Sequence, residues 1–203
     1  MRRFLILFLL IGLGFPLGAA AAAPDPVIGH LQKLSAGVKT LSSDFIQEKY
    51  LAVFKQALVS HGHFYYSKPD KLRWELTTPV KSGFALNGDE GRRWHDSEKQ
   101  SSRFELDRDP VMKIVAEQLL AWARADFPWL EAHYRIQVEK RQPVRLRLEP
   151  LFATGGFLDH LMIWFSSDGS HVRQVELHEK DGDFTRIRFR HAVVNGPVPG
   201  SLF

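Results

Sequence analysis

Between Val27 and Leu41 the apolar positions Val27, Leu31, Leu34, Val38 and Leu41 recur at alternating intervals of four and three, which puts them on one stripe of an α-helix. Asp25 and Pro26 supply an N-cap and a first-turn residue. The spacing predicts an amphipathic helix of about four turns, whose stripe needs an apolar partner surface. From Ser42 to Leu106 the period changes to two: Leu72, Trp74 and Leu76 alternate with Lys71, Arg73 and Glu75, and aromatic residues crowd at Phe64, Tyr65 and Tyr66. Turn-forming residues recur at Ser67–Asp70, Thr78–Pro79 and Asn87–Gly91, the punctuation of an antiparallel meander.

A second helical block is expected over Asp109–Asp126, with Val111, Ile114, Val115, Leu119 and Trp122 on its buried side. Phe127-Pro128-Trp129-Leu130 follows, where the helix should end or kink. Strands then resume at His133–Lys140, Pro143–Glu149, Leu158–Phe165, His171–His178 and Phe184–Arg190, with hairpin turns at Ser167-Asp168-Gly169 and Lys180–Asp183. In the last strand Thr185, Ile187 and Phe189 oppose Arg186, Arg188 and Arg190, so one sheet face is dry and the other wet. The order of helix, strands, helices, strands predicts an α+β fold and argues against a parallel nucleotide-binding sheet.

The N-terminus stands apart from this pattern. Arg2 and Arg3 precede an apolar run from Phe4 to Leu13, then Gly14, Pro16 and Gly18, then the alanines Ala19–Ala23. Residues 1–23 read as a cleaved secretory signal peptide, too short in its apolar run to span a bilayer, and 24–203 as one domain. The expected location is therefore the periplasm. Cleavage lowers the net charge from +4 to +2, and the remaining charges are interleaved, which excludes a nucleic-acid partner. The chain has no cysteine, which excludes disulfides, thiolate metal sites and an N-terminal lipid anchor.

Candidate chemistry is thin. His61 and His63 share a strand face without a third ligand, so no metal or cofactor is expected. Asp168, His171 and His178 lie near Ser166, Ser167 and Ser170 but without a nucleophile-elbow motif, so no catalytic residue and no enzyme is expected. The surplus is in large apolar side chains: five Trp, fifteen Phe and four Tyr fit either a filled sheet-on-helix core or a curved sheet that keeps a lining for an apolar ligand.

The segment Leu41-Ser42-Ser43-Asp44-Phe45-Ile46-Gln47 followed by Gly62-His63-Phe64-Tyr65-Tyr66-Ser67-Lys68-Pro69-Asp70-Lys71-Leu72-Arg73-Trp74-Glu75 resembles the periplasmic lipoprotein carrier family, LolA. Asn87-Gly88 with Trp94, and Asn195-Gly196-Pro197 with Leu202-Phe203, look like that family's later motifs. The resemblance implies an incomplete antiparallel β-barrel, a strongly curved sheet, with a helical lid over a hydrophobic cavity that shelters acyl chains on their way from inner to outer membrane. On the sheet side the cavity candidates are Phe64, Tyr66, Leu72, Trp74, Phe84, Leu86 and Trp94; on the lid they are Leu119, Leu120, Trp122, Phe127 and Trp129. Lys68 takes the place of the family's arginine that latches barrel to lid, and a lysine cannot reproduce a multidentate tether. Family members also commonly run on past the Leu-Phe pair, so either a short, divergent branch or a different cargo and partners is expected. The implied partners are an acylated cargo, lipoprotein or glycolipid, with an inner-membrane export complex and an outer-membrane receptor; the expected state is a monomer. The competing reading is a periplasmic sensor or scaffold of the same fold with a filled cavity that binds protein.

Overall fold

The computed structural model describes residues 25–151 and 158–203. The signal peptide expected over residues 1–23 lies outside them. The chain begins with helix α1 (Pro26–Ala36), makes strands β1 (Thr40–Tyr50), β2 (Leu58–Ser67), β3 (Lys71–Thr78), β4 (Ser82–Asn87), β5 (Glu90–His95) and β6 (Ser102–Glu105), crosses through helices α2 (Pro110–Arg124) and α3 (Phe127–His133), and returns as β7 (Tyr134–Arg141), β8 (Val144–Pro150), β9 (Leu158–Phe165), β10 (Val172–Glu179) and β11 (Phe184–Val194).

All eleven strands form one antiparallel sheet in the order β6-β5-β4-β3-β2-β1-β11-β10-β9-β8-β7. The two halves of the chain are simple meanders that meet where β1 pairs with β11, leaving β6 and β7 as free edges. The segment that bridges those edges is α2–α3. This is the unclosed barrel with helices that the alternation and the resemblance predict.

Register assigns the faces, because residues directly opposite one another share a side. Leu41, Ser43 and Phe45 of β1 face Tyr66, Phe64 and Gly62 of β2; Leu72, Trp74 and Leu76 of β3 continue the row to Leu86, Phe84 and Ser82 of β4. Phe189, Ile187, Val175, Ile163, Leu161, Leu146 and Leu148 extend it through the second half. This concave face is dry, and Val175, Leu146 and Leu148 are fully buried. The convex face carries ion pairs such as Arg186–Glu176 and Arg188–Glu48, both at 2.7 Å. At Gly62 the Phe45 ring and the Glu75 carbonyl already occupy the space a Cβ would take, which is why this strand position needs glycine.

The helices depart from the periodicity in two places. Asp25 does cap α1, its Oδ1 accepting from Val27 N at 2.9 Å, but α1 stops at Gly37 after eleven residues rather than running to Leu41. Val38 and Leu41 are still buried, on the approach to β1 and within it, so a helical spacing was met by two different elements. In α2 only Leu119 and Trp122 of the expected stripe are buried, whereas Val111, Ile114 and Val115 are 69%, 64% and 37% exposed. In the first two turns Met112 and Ala116 are the residues turned inward, and Val111, Ile114 and Val115 lie on the outward side. Ala125 adopts a left-handed conformation (φ 45°) that ends α2, and Asp126 then caps α3 by accepting from Trp129 N at 3.1 Å. That is the break expected at Phe127–Leu130.

Strand polarity gives the barrel two rims. The α1 rim carries the β2–β3 and β4–β5 turns and α1 itself, held there by a bidentate Arg141–Asp25 contact at 2.9 and 2.8 Å. The far rim carries the tips of β1–β2, β3–β4 and β10–β11.

Candidate functional site

Four aromatic rings from β1, β2, β3 and β11 form the floor of the concave face. Phe45 stacks on Trp74 at 4.0 Å between centroids, and Phe64 and Phe189 meet Trp74 edge-on at 6.0 and 6.2 Å. The C-terminal half of α2 lies over one side of this floor. Leu119, Trp122 and Ala123 cover Leu41, Phe64, Phe189 and Val172, leaving between them a cavity of about 20 Å³, room for one water-sized body. Beside it, toward β4 and β5, the concave face is open. A second cavity of about 500 Å³ is floored by Trp74, Leu76, Phe84 and Met112 and edged by Arg93, His95, Gln100 and Ser102. Its strand residues lie toward the far rim, so the apolar floor is reached from that side.

Six of the seven sheet-side candidates share the concave face: Phe64, Tyr66, Leu72, Trp74, Phe84 and Leu86. Tyr66, Leu72 and Leu86 are fully buried, while Trp74 is half-buried and touches the open cavity. Trp94 also borders the open cavity, but it is out of phase with the other six. It pairs with Gly83, one residue out of phase with Phe84, so its indole belongs to the convex face, where the Arg73 guanidinium covers it at 4.6 Å. The same arginine is buried against Glu98 and Glu75 and donates to the Leu202 carbonyl at 3.1 Å, which fastens the C-terminal turn to the outside of the sheet. Of the lid candidates, Leu119 and Trp122 line the covered cavity and Leu120 is buried beside them. Phe127 is buried against Phe165 at 6.4 Å, and Trp129 turns away to stack on His133 at 4.0 Å.

The expected latch, Lys68, does not reach the lid: its Nζ donates to the Ala36 carbonyl at 3.4 Å, at the end of α1. Strand β2 ends on the α1 rim, where the unpaired carbonyls of a helix C-terminus attract a cation. Other residues tie the lid. Arg93 on the concave side of β5 donates to the Asp109 carboxylate at 2.7 Å, and Asp109 is also the N-cap of α2. Mid-helix, Tyr134 Oη donates to Gln118 Oε1 at 2.5 Å, and burial pushes that phenol up to about 12. At the other end Arg124 stands beside Tyr66, whose phenol is raised by burial and only partly held down by the guanidinium. Three α2 donors, Trp122 Nε1, Gln118 Nε2 and Arg124 Nε, are buried without a partner among the described residues, and each weakens the closed arrangement by about 1–3 kcal/mol. The closed lid is therefore seated by apolar contact and pinned by few polar bonds.

The serine and histidine cluster is a turn. Asp168 accepts from Ser166 and from the Ser170 backbone and hydroxyl, which holds its carboxyl down to about 2, and Ser170 Oγ meets His171 Nδ1 at 2.9 Å. The carboxylate binds the hydroxyls rather than orienting the imidazole.

The geometry agrees with what known proteins show. Residues 36–203 match the family described as outer membrane lipoprotein carrier protein LolA. A protein from Methylococcus capsulatus named outer-membrane lipoprotein carrier protein is 24% identical, over 99% of this chain and 91% of its own length. Among solved structures, MucB superposes with a TM-score of 0.53 at 13% identity, covering 89% of this chain and 63% of MucB. In the Pseudomonas aeruginosa MucA/MucB complex the TM-score is 0.52 at 13% identity, over 87% of this chain and 59% of the other. The chain thus spans about three-fifths of those MucB structures, and the likeness is one of fold. With a family model matched from residue 36 to the last residue, on an unclosed sheet whose dry face is roofed by helices, the chain belongs to the outer membrane lipoprotein carrier family, LolA.

Proposed function

We propose that this protein is a non-enzymatic periplasmic carrier that takes the acyl chains of a lipoprotein, or of another acylated molecule such as a glycolipid, into the concave face of its sheet and escorts them from inner to outer membrane. The observation that carries the reading is the open cavity of about 500 Å³ floored by Trp74, Leu76, Phe84 and Met112, continuous with an aromatic floor that α2 covers only in part. At roughly 0.8 kcal/mol per buried methylene, sheltering long chains there offsets the cost of moving a lipid through water. The covered cavity of about 20 Å³ is too small for a chain, so full loading requires the seated half of α2 to lift from Phe64 and Phe189. Phe64, Trp74, Phe84, Leu119 and Trp122 are then the contact residues, with Tyr66, Leu72, Leu86, Leu120 and Phe127 as the packing beneath them. Secretion by a signal peptide over residues 1–23 supplies the compartment, and an export complex and a receptor in the two membranes are the implied donor and acceptor.

Native mass spectrometry of the protein recovered from its own periplasm tests this directly. A retained acylated molecule supports the reading and identifies the cargo; a protein that carries no lipid and takes up no fluorescent fatty acid refutes it. The small covered cavity favours one second reading, a protein-binding scaffold of the same fold, and that second result would select it.

A further inference from the structure

The far rim ends in apolar side chains that the sheet does not use. In the turn between β1 and β2, Val53 and Phe54 are 85% and 57% exposed, and Leu58 and Val59 at the start of β2 are 55% and 46% exposed. Val80, in the adjoining β3–β4 turn, is 43% exposed. These two turns share a rim because β1–β2 and β3–β4 are successive antiparallel hairpins. Leu58 stands opposite Lys49 on the concave side, so the turn continues the dry face outward toward solvent. The tip is held in place rather than loose: Phe54 N donates to Leu51 O at 2.9 Å, and Ala52 N donates to Asp183 Oδ1 at 2.7 Å.

Within the two tips themselves the charges have one sign. No acidic residue falls between Glu48 and Asp70, nor between Glu75 and Asp89, whereas Lys55 and Lys81 sit exposed in the two turns. On the neighbouring strand ends Asp183 accepts from Ala52 N and Glu179 pairs with Lys49 at 3.7 Å, while Asp181 and Asp96, the latter donating its backbone N to Lys81 O, are exposed acids outside the two tips. Aromatic and aliphatic tips flanked by free lysines match the layered chemistry of a bilayer surface, with acyl tails beneath anionic headgroups.

We propose that the β1–β2 and β3–β4 tips dock this protein on an anionic lipid surface, Val53, Phe54 and Val80 entering the headgroup boundary while Lys55 and Lys81 meet phosphates. Docked this way, the far rim and the open cavity behind it face the bilayer, so a chain leaving the membrane meets Leu58, Leu76 and Trp74 in turn. The surface binding stands by itself; only its use in loading rests on the carrier reading.

The secreted protein is tested by flotation with phosphatidylglycerol-containing vesicles and with pure phosphatidylcholine vesicles, in parallel with uptake of a fluorescent fatty acid. The parent floats with the anionic vesicles, and salt releases it. Val53→Asp/Phe54→Asp weakens the partition about tenfold, and Lys55→Glu/Lys81→Glu removes the preference for anionic lipid. Neither variant changes the melting temperature or fatty-acid uptake, since none of the four residues lines the cavity. A parent that does not float, or variants that float as the parent does, overturns the proposal, as does a tip that binds a membrane protein's soluble domain but not vesicles. A parent that floats yet takes up no fatty acid sinks the carrier reading and leaves the docking surface standing.

Discussion

Asp109 has two duties, and separating them measures how firmly the lid is held. Its Oδ2 pairs with Arg93 Nη1 at 2.7 Å, and its Oδ1 caps α2 through Met112 N at 3.1 Å. Arg93→Ala removes the ion pair, together with the guanidinium that edges the open cavity and covers Phe104; the arginine is half exposed, so solvent screening keeps the ion-pair loss near 0.5 kcal/mol. Asp109→Asn keeps the cap and loses most of the pairing, with a similar small effect. Asp109→Ala removes both and costs about 1.5 kcal/mol. If chains load only when α2 lifts, apparent affinity scales with the open fraction. The first two variants then bind a fluorescent fatty acid about twofold tighter, and Asp109→Ala binds it roughly tenfold tighter with a faster uptake phase. Titration and stopped-flow fluorescence read both quantities, and urea midpoints show whether the rest of the fold is intact. If Asp109→Ala loads no faster than the parent, or if the Asn and Ala variants behave alike, the N-cap is not what restrains the lid.

Trp74→Ala is expected to weaken fatty-acid binding at least severalfold with a modest loss of stability, whereas Trp94→Ala, whose indole packs under Arg73 and only borders the cavity, destabilises the fold by about 3 kcal/mol in urea and weakens binding less than Trp74→Ala does. The reverse pattern would mean the faces are misassigned. Gly62→Ala sets a methyl against the Glu75 carbonyl, which cannot swing aside, and should destabilise by about 2 kcal/mol in the same denaturation assay. Burial holds the His171 imidazole below its usual 6.5, with Asp168 working the other way. A folded-state value below the unfolded one gives stability that is present above pH 6.5 and lost as pH falls through the folded value. Acidification from about pH 7.5 to about pH 5 should lower the midpoint, and His171→Leu should remove that component; an equal slope in the variant refutes the assignment.

The alternation of Leu72, Trp74 and Leu76 against Lys71, Arg73 and Glu75 was enough to assign the faces of β3, because a strand has only two sides and burial decides between them. The same logic places Phe64 and Tyr66 with Phe84 and Leu86 once the pairing is known. It fails for Trp94, since the side of a tryptophan depends on register, and register is set by which residue stands opposite Gly83. The Asp-Pro caps at Asp25 and Asp109 were legible because a cap is a local contract between a side chain and the next turn. Their second partners, Arg141 and Arg93, were not. One lies 116 residues away and the other 16 residues back on β5, and neither distance leaves a mark in composition or periodicity.

The half-seated lid follows from the same division between local and distant information. Helical spacing says that Val111, Ile114, Val115, Leu119 and Trp122 share a stripe, and they do. It cannot say how far the partner surface extends. The sheet beneath α2 gives Leu119 and Trp122 the side chains of Phe64 and Phe189 to rest on, but beneath the first two turns the concave face drops into the cavity beside Trp74 and Phe84. An amphipathic stripe longer than its seat leaves apolar surface with no internal partner, at roughly 25 cal/mol per Å². In a sheet-on-helix core that surplus would be a defect. Here the surplus faces outward: of the first two turns only Met112 lines the open cavity, and Val111, Ile114 and Val115 do not. The seat of α2 is therefore the row Met112, Ala116, Leu119 and Ala123, turned a little round the helix from the stripe that the spacing selects.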